Sequence, residues 1–95
     1  MTGARWRVSD VFAAIASDAS ASADRRDAAW WAWAWATQDS GFELTDATVG
    51  KWLRTHEAGI AVGCDWVEWR YMTGAQRCAA VVREARRLGV PRRAA

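Results

Sequence analysis

Few residues in this chain carry side chains suited to chemistry, and they are scattered. His56 is the single histidine, and Cys64 and Cys78 are the two cysteines. A structural zinc site needs four ligands, usually in close pairs. No CxxC or HxxxH spacing occurs, so neither a metal site nor a cofactor is expected. Nucleophilic catalysis needs a nucleophile beside a base that a third group orients. His56 has no evident Ser or Cys partner, the cysteines have no evident activating base, and the carboxylates form no paired signature. The chain is therefore not expected to be an enzyme, and its cysteines are expected to be reduced thiols, one in a loop and one on a helix. Arginine is the conspicuous charged residue. The net charge is only +2, but residues 51–95 carry nine basic and four acidic groups while residues 1–50 carry four and seven. A basic half on a small domain points to an anionic partner.

The elements that would position these charges can be read from caps and periodicity. Ninety-five residues make one domain, with residues 1–7 as an N-terminal arm and 90–95 as a basic tail. A first helix runs from Ser9, as N-cap, to about Ser17, with Val8, Phe12 and Ile15 on one side. The small, polar stretch 17–23 reads as a loop. A second helix spans about Asp24 to Asp39, free of Gly and Pro, with Gly41 as its C-cap. It contains WWAWAWA, residues 30–36, whose four rings sweep about 200° of a helix, wider than one core face usually covers. In GFELTDATVGKWLRTHEAG, Thr45 is an N-cap with Asp46 behind it, and Leu44 and Val49 make a hydrophobic staple. The resulting helix places Val49, Trp52, Leu53 and His56 inside and Ala47, Lys51, Arg54 and Thr55 outside, and Gly59 ends it. Residues 59–72, GIAVGCDWVEWRYM, alternate apolar and polar groups on either side of a turn at 63–66 and read as a β-hairpin. Thr73 and Gln76 fit a capping box. Cys78, Val81, Val82, Ala85 and Leu88 form a helical stripe that Gly89 and Pro91 stop.

Helix, helix, turn, helix, hairpin, helix is the winged helix-turn-helix order: mainly α, with three helices, a two-stranded wing and a C-terminal helix. Gly41, Phe42, Thr45, Ala47, Thr48, Val49, Gly50 and Lys51 resemble the turn and recognition helix of the N-terminal DNA-binding domain of bacterial arginine repressors. That family has a serine where this chain has Gly50, and no arginine-sensing second domain is evident. The resemblance implies a fold and a role on double-stranded DNA, not arginine regulation. Thr45, Ala47, Thr48, Lys51, Arg54 and Thr55 would then face the major groove. Arg70 on the wing, with Trp66 at its tip, would reach the flanking backbone, and Arg25 and Arg26 would contact phosphates.

A second class of function competes. Tryptophan is a frequent binding hot spot, and eight of them in 95 residues suit a module that grips a host protein, with Trp33 and Trp66 as candidate contacts. The stripe through Cys78, Val82 and Leu88 could pair two copies into a homodimer. The high alanine and arginine content fits a GC-rich bacterial or phage genome. The longest strongly apolar run, residues 28–36, is too short for a bilayer, and no signal peptide is evident, so a cytoplasmic location with no membrane partner is expected.

Overall fold

A computed structural model of the chain describes residues 4–38 and 55–94. Within them the elements run β1 (Ala4–Arg5), α1 (Val8–Ala16), α2 (Ala23–Gln38), α3 (His56–Ala61), α4 (Trp66–Tyr71), α5 (Gly74–Arg87) and β2 (Arg93–Ala94). The two strands pair antiparallel, Ala4 with Ala94 and Arg5 with Arg93. The arm and the tail of the sequence reading are thus joined to each other.

Helix α1 packs against α2 and α5, and α2 also packs against α3. The N-cap of α1 is Arg7, not Ser9, so the helix gains two residues at its start. Val8, Val11, Phe12 and Ile15, at spacings of three, one and three, are fully buried, the pattern of a single core-facing stripe. Helix α2 lies within a residue of its expected bounds, and Ser22 Oγ accepts from the Arg25 amide at 3.2 Å. Helix α5 carries the expected capping box: the Gln76 amide donates to Thr73 Oγ1 at 3.1 Å, and the Thr73 amide donates to Gln76 Oε1 at 2.9 Å. Helices α3 and α5 both end in Schellman turns. Gly63 (φ 79°) and Gly89 (φ 65°) supply the left-handed residue, and the Cys64 and Val90 amides reach back to Gly59 O and Ala85 O.

The winged helix-turn-helix expectation is overturned at its wing. Residues 59–72 hold no hairpin: Gly59 lies inside α3, and α4 occupies 66–71. Asp65, read as part of a turn, is the N-cap of α4, accepting from the Val67 and Glu68 amides at 2.7 and 3.4 Å. The residues that alternate in sequence do not share a face. Trp69 is fully buried, whereas Val67 and Tyr71 are 60% and 75% exposed. The Thr45-capped helix does not run to Gly59 as one unit either, because Thr55 starts α3, its Oγ1 accepting from the Ala58 amide. Thr45, Ala47, Thr48, Lys51 and Arg54, with the Gly41 cap and the Leu44–Val49 staple, lie outside the described residues.

An ionic network ties the helices together. Arg25 on α2 donates from Nε to Ala61 O at the end of α3 (3.1 Å) and from Nη2 to Glu84 Oε1 on α5 (2.7 Å). Arg87 bridges Glu84 (2.8 Å) and Asp18 in the α1–α2 loop (3.0 Å). Burial pushes the Glu84 carboxyl up, but hydrogen bonds from Arg87 and Arg25 outweigh it and hold the group below its ordinary range. The Ser20 hydroxyl, then Arg87 and the Ser20 amide, lower Asp18 from 3.8 to about 2. Carboxyls depressed in the folded state stabilise it fully above their unfolded pKa and lose that contribution as pH falls through the folded value. The melting temperature is therefore expected to fall between about pH 4 and pH 2, and Asp18→Asn is expected to flatten part of that slope. A pH series of thermal melts on both proteins checks it; identical acid slopes would contradict the assignment.

Candidate docking surface on α2

The WWAWAWA segment is helical, and alanine, not tryptophan, faces the core. Ala28, Ala29, Ala32 and Ala36 are buried and fall within an arc of about 100°. Methyl side chains let α1 and α3 approach the α2 backbone closely. Trp30, Trp31 and Trp35 lie outside that arc and are 58%, 61% and 50% exposed. Trp33 is half-buried against the core, with its ring stacked on Trp30 at 4.8 Å between centroids. The sequence reading offered Trp33 as the partner contact on this helix. It is the one of the four that the protein covers best itself.

The three exposed rings form a convex ridge. Trp31 and Trp35 stand one turn apart, and Trp30 lies about 100° round the helix from Trp31. From Trp30 to Thr37 the helix carries no charged side chain; its charges, Asp24, Arg25, Arg26 and Asp27, cluster in the first turns. Taking about 250 Å² for a whole tryptophan side chain, the rings offer on the order of 400 Å² of accessible surface. Buried outright, that area corresponds to roughly 10 kcal/mol of gross hydrophobic driving force. A monomer normally avoids leaving three adjacent indoles in water.

The other candidate residues disperse. Arg25 turns inward to Glu84 and Ala61, while its neighbour Arg26 stays exposed beside Trp30. Thr55 is half-buried as the α3 cap. Arg70 is exposed on α4, its guanidinium 5.2 Å from the Tyr71 centroid, and sits on a helix rather than a wing strand. Trp66 opens α4 and meets the exposed His56 ring edge-on at 4.8 Å, so His56 is not the inward histidine expected. Cys78, Val82 and Leu88 are half-buried on α5; the buried stripe there runs through Arg77, Ala80, Val81, Glu84 and Ala85 instead. Arg77 lies inside and caps α4: its Nε donates to Trp69 O and its Nη2 to Arg70 O, each at 3.0 Å.

Neither cysteine is in a disulfide. Burial, then the nearby Glu68 carboxylate, pushes the Cys64 thiol up, the opposite of what an activated nucleophile needs. Among the described residues no group of three or more His, Cys, Asp or Glu side chains could hold a metal ion, and no helix is long and apolar enough to cross a membrane.

Sequence reasoning missed Trp30, Trp31 and Trp35 as contact residues. The usable signal was the alanine spacing 28, 29, 32, 36, which by itself defines a buried stripe and turns the rings outward. Compared with models of known protein families, with curated proteins and with solved structures, the chain matches none.

Proposed function

We propose that this chain is a protein-binding module that inserts the tryptophan ridge of α2 into an apolar groove of a partner protein. The observation that carries the reading is the exposure of Trp30, Trp31 and Trp35 on a helix whose opposite face is already buried. A partner is favoured over a second copy on grounds of area and shape. The ridge supplies about half of the ~800 Å² that each side gives a standard interface. Two convex ridges meeting crosswise would bury still less, whereas a groove also covers the flanks. Docking of this kind follows helix-in-groove recognition, with Trp31 and Trp35 as the one-turn pair of anchors. The absence of charge from Trp30 to Thr37 means that the groove must be apolar, with acceptors placed for the indole N–H groups.

A photo-crosslinking aromatic amino acid at position 31, in cells of the native source, tests this. A single discrete heteromeric adduct is expected, with none when the same group replaces the exposed Ala79 on α5. With that partner purified, Trp35→Ala is expected to weaken binding about 30-fold or more, the size of a ≥2 kcal/mol hot spot. No position-specific adduct, or one between two copies of this chain, would sink the reading.

A further inference from the structure

Trp6 lies between β1 and α1, where the two ends of the described chain meet. Its ring is half-buried against the core, and its Nε1 donates to Val90 O at 2.9 Å. Two guanidiniums lie over this one ring, Arg92 at 4.4 Å and Arg86 at 5.7 Å from the centroid. The Schellman turn at Gly89 brings them together: Arg86 is in the last turn of α5, and Arg92 follows the reversal that the turn makes. Both are exposed. Arg87, between them in sequence, is engaged with Glu84 and Asp18, but among the described residues neither Arg86 nor Arg92 has a carboxylate within ion-pair distance. The exposed Arg7 follows Trp6 directly.

Two unpaired cations held at one ring repel each other, and an anion reaching both relieves that repulsion. Stacking on the indole fixes the plane of a guanidinium and leaves its N–H edge free, and that planar fork matches a phosphate in bidentate fashion. The adjoining cavity is not the seat of such an anion, because the Asp10 carboxylate lines it with Ala13, Leu88 and Pro91. The arginines stand on open surface, which suits a polyanion lying across it and not a small molecule enclosed in a pocket.

We propose that Trp6, Arg86 and Arg92 form a clamp for the phosphodiester backbone of nucleic acid, built from residues other than those of the α2 ridge. Contacts of this type position a duplex without reading its sequence, so binding is indifferent to base order and strongly dependent on salt.

The test is fluorescence anisotropy of a short labelled DNA duplex titrated with the full chain between about 50 and 200 mM salt. Wild type is compared with Arg86→Ala/Arg92→Ala and Arg86→Lys/Arg92→Lys, with circular dichroism to confirm that each keeps its helix content. Wild type is expected to bind at low salt, with log K falling linearly in log salt. The double alanine variant is expected to lose about two from that slope, equally on unrelated sequences. The double lysine variant is expected to keep the slope, since its charge is intact, while binding less tightly. Trp31→Ala/Trp35→Ala is expected to bind the duplex as wild type does, which separates this site from the ridge. An unchanged slope in the alanine variant, or no wild-type binding at low salt, overturns the proposal. So does arginine-dependent binding to phosphatidylglycerol vesicles without binding to the duplex.

Discussion

Trp69→Ala is expected to cost about 3–5 kcal/mol, the range for removing a large aromatic from a core. A domain of this size has a total stability of roughly 5–14 kcal/mol, so the variant should lie close to its unfolding threshold. Trp69 is the largest fully buried side chain among the described residues. It packs where α3 meets α4, beneath the Arg77 guanidinium, 5.7 Å from the ring centroid. What admits the ring is Gly59. A Cβ built there would stand 2.6 Å from Trp69 Cγ and 2.7 Å from Cδ1, closer than carbon atoms tolerate. Gly59→Ala alone is therefore expected to destabilise by about 1–3 kcal/mol through overpacking, even though alanine is about 1 kcal/mol better than glycine within a helix. In a Trp69→Ala background the obstruction is gone, and the same substitution should become neutral or stabilising. Urea denaturation of the two single variants and the double variant measures this coupling. Additive effects would show that Gly59 and Trp69 do not meet as described.

Glu84→Ala is expected to cost about 2–4 kcal/mol. Removing one partner of a buried pair costs about 3–5 kcal/mol, and the partial exposure of Arg25 reduces the figure. Glu84 is buried on α5 and takes hydrogen bonds from both Arg25 and Arg87. Its loss strands Arg25, whose guanidinium then keeps only the Ala61 carbonyl. Glu84→Gln is expected to recover part of the loss, because the amide oxygen still accepts while the charge is absent. Replacing both members, Arg25→Met with Glu84→Leu, should be milder than Glu84→Ala, since no charge is left unpaired. Denaturant midpoints of the three variants decide; a Glu84→Ala midpoint at the wild-type value would remove the network from the account.

These two sites also mark where sequence reasoning succeeded and failed. α1, α2 and α5 were legible because each runs for two turns or more, and because Thr73–Gln76 and Gly89 are local signals that act within one turn. α4 was not. Over the six residues of Trp66–Tyr71, an alternation and a helical stripe place apolar residues almost equally well. The choice fell to Asp65 as a cap and to the packing of Trp69 against Gly59. The inward turn of Arg25 was invisible because its carboxylate partner is 59 positions away, and no pattern in the chain distinguishes Arg25 from the exposed Arg26. In α2 the helix was legible but its orientation was not. Attention to the tryptophans hid the alanine stripe that decides which side is buried, so the rings that form the candidate surface were not singled out. His56 was misplaced for a related reason: its inner-face assignment assumed one helix from Thr45 to Gly59, whereas Thr55 is the N-cap of α3, and His56, its first residue, meets Trp66 with its ring exposed.

The outward orientation of that ridge is the claim on which the functional reading stands, and thermal unfolding of Trp31→Ala/Trp35→Ala tests it most directly. If the rings face solvent, removing both takes nothing from the core, and the melting temperature should stay within about 4–8 °C of wild type, the shift that 1 kcal/mol produces in a domain of this size. If the rings were core, the pair would cost about 3–5 kcal/mol each. The double variant would then be unfolded at room temperature, contradicting the account.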